Sequence, residues 1–275
     1  MELTEDQFLA QLMRHLLKSR GVDLSGYSPS FVLRAIKKRV GRSGALDQSD
    51  YLKKLLRSEN ETNELLNALS INVTEFFRDQ GAFESFSAKV IRPLMAERVS
   101  AGGGVLRIWS AGCASGQETY TLAICLSEEM KRFPESGKLI MSITGTDISV
   151  SAIAKAKSGI YSIEELKGLP DNHLSEYFVE GPDGFEVIDR LRKRVRFAKE
   201  NLLVRPGARF YDAIVCRNVL IYFSRQTHEV VLKNLHEALR LDGYLMLGRT
   251  EALMGALRSN FDVVDQENRI LRKKR

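Results

Sequence analysis

The sequence predicts an α/β fold in which an open, mostly parallel sheet follows a helical N-terminal domain and carries a small β-hairpin subdomain. Three observations predict it. Apolar residues recur at helical spacing through the first 95 or so residues, strand-like runs alternate with helical patterns from residue 105 onward, and a Gly181-Pro182-Asp183-Gly184 turn interrupts that alternation. Strands joined through helices build parallel sheets covered on both faces. These patterns divide the chain into residues 1–95 and 96–275, with the hairpin subdomain at about 175–194.

Residues 5–20 place Phe8, Leu9, Leu12, Leu16 and Leu17 on one side of a helix, and residues 31–42 do the same with Phe31, Val32, Ala35, Ile36 and Val40. Asp47 opens a third helix through Leu56, and Glu59 opens a fourth with Leu65, Leu66 and Leu69. A longer helix over 80–99 is expected to break near Pro93, whose ring removes a donor and crowds the preceding turn. Ala101-Gly102-Gly103-Gly104 marks a turn. Strands are then expected at 105–110, 139–144, 194–198, 212–216 and 244–247, with helices at 117–132, after Asp147 and at 226–239. Residues 261–264 and 268–272 read as a closing antiparallel pair, and 177–179 with 185–188 as the hairpin.

The 275 residues suffice for one large domain with a smaller partner, and a hydrophobic fraction of 44% can fill its core. Apolar stretches such as 211–215 and 219–223 are interrupted by Arg217 and Asn218, far short of the roughly 20 residues a bilayer span needs, so no membrane insertion is expected. The opening Met-Glu-Leu-Thr-Glu-Asp is acidic, whereas a signal peptide opens with basic residues, so the expected location is cytoplasmic. Cys113, Cys125 and Cys216 have neither disulfide nor zinc spacing and read as buried small hydrophobes. His15, His173, His228 and His236 are scattered, so no metal is expected.

Ligands of open α/β sheets bind beyond the carboxyl ends of the strands. The first strand ends in Ala111-Gly112-Cys113-Ala114-Ser115-Gly116, small residues that admit either a close ligand or a tight turn. The spacing fits neither a dinucleotide loop nor a Walker A loop. The second strand ends in Gly145-Thr146-Asp147, whose carboxylate can bind both hydroxyls of a ribose or cap the next helix. Together the two ends favour a nucleoside ligand without a diphosphate.

Four segments in register carry a family resemblance. Asn72-Val73-Thr74-Glu75-Phe76-Phe77-Arg78, Trp109 to Glu118 (WSAGCASGQE), Gly145-Thr146-Asp147-Ile148 and Cys216 to Phe223 (CRNVLIYF) resemble the motifs of the chemotaxis receptor methyltransferase family, CheR. The resemblance implies a class I S-adenosylmethionine methyltransferase, a Rossmann-like sheet with an N-terminal helical domain and a small β-subdomain. It implies methyl transfer from S-adenosylmethionine, leaving S-adenosylhomocysteine, to glutamate carboxylates of methyl-accepting chemotaxis receptors. Asn72, Thr74 and Arg78 would reach the cofactor from the N-terminal side. Gly112 would form the cofactor loop, Glu118 and Asp147 would hold the amino-acid and ribose portions, Asn201 and Leu202 would line the adenine, and Arg217 and Asn218 would end the fourth strand. Gln117, Thr119 and Arg249 stand where the family usually has Glu, Pro and His. Arg249 is open to a substrate contact or simple repacking.

Glutamate is ionised at neutral pH, so catalysis reduces to positioning and water exclusion. Arg78 is the first candidate to orient the acceptor carboxylate, against a cofactor or salt-bridge role. Tyr222 is the second, either walling the transfer site or filling a core. Arg34, Lys37, Lys38 and Arg42 share one helix face, which is a solvated surface or a docking stripe for Glu-rich receptor helices. The short 179–185 loop points to an enzyme independent of the receptor's C-terminal pentapeptide, and a monomer is expected. One rival is an adaptor that kept the fold and lost turnover. A nucleic-acid partner, suggested by the net charge of +6, is disfavoured because aromatic and basic residues do not interleave.

Overall fold

The computed structural model describes residues 4–20, 22, 24–69, 74–133, 137–208, 210–253 and 255–275. The chain forms two compact units, residues 1–72 with 222–228, and residues 73–221 with 229–275.

The first unit is helical: α1 (Glu5–Arg20), α2 (Pro29–Ser43), α3 (Gln48–Arg57) and α4 (Glu59–Leu69). Phe8, Leu12, Leu16, Phe31, Ile36 and Leu65 fill its core, as their spacing predicts. Helix α2 starts at Pro29, earlier than periodicity alone places it, because proline suits a first turn that needs no donor. It stops at Gly44, at φ 73°. Asp47 caps α3 by accepting the Asp50 N–H at 2.7 Å. The Arg39 fork grips Glu61 at 2.7 and 2.8 Å and ties α2 to α4. Residues 222–228 join this unit through Ser28 N–H to the Tyr222 carbonyl (2.9 Å) and Ser224 N–H to the Gly26 carbonyl (3.0 Å).

The second unit opens with α5 (Gln80–Phe86), a π-helical turn (Ser87–Ile91) and α6 (Arg92–Ser100). The helix expected to break near Pro93 therefore continues by shifting register. The Arg92 N–H reaches five residues back to the Ser87 carbonyl, and Pro93 then sits in the first turn of α6, where its missing donor costs nothing. There follow β1 (Gly104–Ala111), α7 (Gln117–Arg132), β2 (Leu139–Asp147), α8 (Val150–Ser158), β3 (Ile160–Tyr161), α9 (Asp171–Tyr177), β4 (Phe178–Gly181), β5 (Gly184–Val187), α10 (Asp189–Arg192), β6 (Val195–Lys199), β7 (Tyr211–Cys216), α11 (Arg225–Ala238, its first turn in the helical unit), β8 (Leu239–Leu247), β9 (Phe261–Asp265) and β10 (Ile270–Lys273).

The seven-stranded sheet runs β6-β2-β1-β7-β8-β10-β9, with β10 antiparallel to both neighbours and the other pairs parallel. Chain order reverses between β1 and β7, the switch point where such sheets bind ligands. Strand β8 begins at Leu239, five residues before the expected start, since Leu239 pairs with Tyr211 and a register shift follows before Gly243 and Tyr244. The expected hairpin is present and gains a third strand, giving the order β3-β5-β4. Strand β3 is only two residues long, too short for a periodicity to register. A Cβ on Gly184 (φ 123°) would lie 2.6 Å from the Tyr161 carbonyl oxygen, so glycine is what lets β3 approach the turn. Among the described residues no helix is long and apolar enough to cross a membrane. Cys113, Cys125 and Cys216 are buried and unbridged.

Candidate functional site

The site lies in the sheet unit, at the carboxyl ends of β1, β2, β6, β7 and β8. The loop after β1 holds Gly112, Ala114 and Gly116 at φ 78°, 47° and 96°. Glycine is required at 112, where a Cβ would lie 2.5 Å from the Val219 methyl after β7, so the two switch-point loops touch. The loop is pinned beneath by the Gly112 and Cys113 N–H groups, which donate to the Thr146 carbonyl at 2.8 and 2.9 Å. Trp109 Nε1 donates to the Thr146 hydroxyl at 2.8 Å.

This folding brings Asp147 against the loop. One carboxylate oxygen accepts the Ala114 N–H (2.9 Å), the other the Ser149 N–H (2.8 Å). The helix cap is made by Ser149, which accepts the Ala152 N–H at 3.2 Å, so Asp147 is not itself the cap. Burial raises the Asp147 carboxyl above its ordinary value, against the pull of the backbone N–H groups of Ser149, Ala114 and Ile148. Asn201 and Leu202 follow β6 beside it, and the Glu200 N–H donates to the Asp147 carbonyl at 3.0 Å. Asn201 is exposed and accepts the Leu203 N–H at 3.0 Å, while Leu202 is buried.

Glu118, in the first turn of α7, accepts the Ser110 hydroxyl at 2.8 Å. Burial pushes its carboxyl up to about 7, although Arg217 and Arg78 are near enough to oppose the rise and Glu251 to assist it. A carboxylate so incompletely compensated suits a cationic group placed beside it.

Arg217 is almost fully buried, and its guanidinium is committed inside the protein. It donates to the Arg78 carbonyl (2.8 Å) and to the Asp79 carboxylate, and stacks 5.2 Å from the Phe83 ring. It therefore holds the 76–79 turn, where Phe77 and Asp79 take left-handed φ values of 51° and 58°. The Phe77 N–H is fixed by the Thr121 hydroxyl at 3.1 Å. Thr74 and Arg78 are both half-buried on this segment. Asn72 lies outside the described residues.

Of the sequence candidates, the structure gathers Gly112, Glu118, Asp147, Arg78, Arg217 and Asn218, with Asn201 and Leu202 along the adjoining strand. Tyr222 belongs to the helical unit, where its ring lies 4.9 Å from Phe31 against that core. Arg34, Lys37, Lys38 and Arg42 are exposed on α2. The three departures from the family motifs are absorbed locally. Gln117 accepts the Ser115 hydroxyl at 2.8 Å, and Thr119 packs beneath Gly145. Arg249 turns to Asn268 (3.2 Å) and Glu267 (3.7 Å) at the β9–β10 turn, which favours repacking.

One residue gains its place in the site only from the structure, although the sequence puts it in Gly248-Arg249-Thr250-Glu251, where the family commonly has G-H-S-E. Glu251, only 2% exposed, accepts N–H bonds from Gly248 (2.6 Å), Asn218 (3.0 Å), Val219 (2.9 Å) and Leu220 (2.7 Å). The sequence signal for Glu251 is that motif, which carries no hint of the loop it binds.

Comparison with known proteins follows the same division. The CheR methyltransferase SAM binding domain matches residues 72–270, and the CheR methyltransferase all-alpha domain matches residues 7–70. A chemotaxis protein methyltransferase of Salmonella typhimurium is 32% identical over 263 residues, covering 92% of this chain and 86% of the relative. One of Borreliella burgdorferi is 31% identical over 260 residues, covering 93% and 91%. An uncharacterized 104.1 kDa protein of Rhodobacter capsulatus is 34% identical over 263 residues, 95% of this chain, which spans only 27% of that relative. With a sheet that reverses at β1 and β7 and the matched loops gathered at that point, the chain belongs to the CheR family of S-adenosylmethionine-dependent methyltransferases.

Proposed function

We propose that this enzyme transfers the methyl group of S-adenosylmethionine to glutamate side chains of chemoreceptors, forming glutamyl methyl esters. The observation that carries the reading is the pair of carboxylates, Asp147 and Glu118, flanking a small-residue loop at the switch point of a sheet in this family. The residues fit the cofactor. Asp147 keeps acceptor capacity beyond its backbone N–H bonds for vicinal hydroxyls, and half-buried Glu118 offers negative charge to an ammonium or sulfonium.

When bound, the cofactor supplies an electrophilic methyl carbon on a sulfonium. The acceptor glutamate, with an ordinary pKa of about 4.3, is already ionised. The chain therefore has no proton to remove, and its work is to bring carboxylate oxygen and methyl carbon into line without water. Arg78 is assigned the acceptor carboxylate, because a guanidinium fork matches it with two parallel hydrogen bonds. Arg217 assists by holding the Arg78 carbonyl. Tyr222 is assigned the wall of the transfer site, although its packing on Phe31 favours a core role. Arg34, Lys37, Lys38 and Arg42 are assigned the docking of Glu-rich receptor helices.

Tritiated methyl transfer to receptor-containing membranes tests the proposal. Wild type should give base-labile ester label, and Arg78→Ala and Asp147→Ala should each lose about 100-fold or more, the scale of a lost positioning contact. Label that persists in both variants would refute the roles of Arg78 and Asp147. Independence from the receptor pentapeptide is a separate part of the proposal, motivated by the two-residue Pro182-Asp183 connection between β4 and β5. Titration with receptor C-terminal peptide should give no binding, and strand addition at the edge strand β4 would overturn it.

A further inference from the structure

Glu251 stands apart from the residues assigned to donor or acceptor, yet it is the most heavily engaged carboxylate of the site. Four backbone N–H groups converge on its two oxygens. Oε2 takes Gly248 and Asn218, and Oε1 takes Val219 and Leu220. The first comes from the end of β8 and the other three from the loop after β7, so one side chain sews two strand ends together. That loop needs holding. Asn218 sits at φ 60°, a left-handed conformation that side chains adopt at a cost. The residue before it, Arg217, carries the guanidinium that fixes the Arg78 carbonyl and Asp79. The residue after it, Val219, lies against Gly112 of the donor loop.

A second observation concerns close approach. A Cβ on Gly248 would lie 2.6 Å from Glu251 Oε2 and 2.9 Å from the Asn218 nitrogen. The glycine keeps clear the space in which carboxylate and loop meet. Any displacement of Glu251 would therefore pass to Asn218, then to Arg217 and the Arg78 turn on one side and to Gly112 on the other.

We propose that Glu251 is a positioning residue of the donor site, holding the loop of Arg217 and Asn218 through its oxygens and acting on Glu118 through its charge. This rests on the reading of the site as one for S-adenosylmethionine. The charge acts within a defined set of groups. Glu118 is faced by Arg217 from the loop after β7, Ser110 from β1, Glu251 from the loop after β8 and Arg78 from the 76–79 turn. Among these only Glu251 is a like charge. Its presence is one reason, after burial, that the Glu118 carboxyl stands near 7.

The test is calorimetric binding of S-adenosylmethionine and of S-adenosylhomocysteine between pH 6 and pH 8.5. Wild type, Glu251→Gln and Gly248→Ala are compared. Because Glu118 must be ionised to hold the ligand's ammonium, wild-type affinity should fall about tenfold between pH 8 and pH 6. In Glu251→Gln the amide presents its NH2 to two backbone donors, so affinity at pH 8 should drop about tenfold. With the like charge gone, the further loss on going to pH 6 should be smaller than the wild type's. Gly248→Ala keeps the charge and displaces the loop. It should lose affinity at every pH while retaining the wild-type pH dependence, and it carries the positioning half of the test should Glu251→Gln fail to fold. The proposal is overturned by wild-type affinity in both variants, or by an unmoved acid limb in a folded Glu251→Gln. Wild-type protein that binds neither ligand at any pH would overturn the donor-site reading itself, and this inference with it.

Discussion

Glu118 shows how a single residue sets a condition on the chemistry. An exposed glutamate ionises near 4.3, whereas burial lifts Glu118 to about 7, so its charge titrates in the neutral range. The sign follows from the ligand. If Glu118 holds the ligand's cation as proposed, the ionised form binds, so affinity is highest near pH 8 and falls as pH drops through 7 towards 6. Glu118→Gln should abolish that limb and bind S-adenosylmethionine weakly at every pH, which calorimetry across the range reads directly. Burial raises Asp147 as well, against the pull of the backbone N–H groups of Ser149, Ala114 and Ile148. Asp147 is legible in the sequence because it stands at a strand end, and Glu118 because the WSAGCASGQE segment resembles the family's loop. What Glu251 binds is not, since its partners are backbone groups of a loop some thirty residues earlier. Only the fold makes that proximity. Arg217 is legible as a site residue, but not that its guanidinium turns inward to Asp79.

Elements carry the next level of control. The 76–79 turn has no regular structure of its own and is shaped by what packs on it. The Phe76 ring meets Tyr161 and Phe178 edge-on at 5.1 and 5.4 Å, Phe77 stacks on His173 at 5.2 Å, and Gly168 runs against the Phe76 carbonyl. A Cβ on Gly168 would lie 2.2 Å from that carbonyl oxygen, closer than any real contact. Gly168→Ala should therefore push the turn and lower methyl transfer by about tenfold or more, through the misplacement of Arg78. Single-turnover label transfer at saturating cofactor measures this. Long periodic helices and the alternation of strand with helix are readable because their apolar spacing is a property of neighbouring residues. What is not readable is set by distant partners. Strand β3 exists only by pairing with β5, and the early start of β8 follows from Tyr211 meeting Leu239. At Pro93 the sequence signals trouble correctly, and the π-helical turn is the answer it does not specify.

For the molecule as a whole, the relevant quantity is where its excess of positive charge is free to act. Many cations have an ion-pair partner within the chain. Arg39 is paired with Glu61, Lys37 with Glu5, Lys131 and Arg190 with Glu176, and Arg98 with Asp212. On α2 the exposed Arg34, Lys38 and Arg42 form no ion pair among the described residues. A stripe of this kind contributes little to stability and most to association, because exposed charges attract an acidic partner over about a Debye length. Reversing two of them, Arg34→Glu with Lys38→Glu, should lower kcat/KM for receptor about tenfold near 0.05 M salt. It should leave kcat at saturating receptor and the affinity for S-adenosylmethionine close to wild type. Screening supplies the control. The Debye length falls from roughly 14 Å to about 4 Å as salt rises to about 0.5 M, so the difference between variant and wild type should narrow along that series. A deficit that stayed constant with salt would mean a local defect in α2 and would remove the stripe from the docking surface.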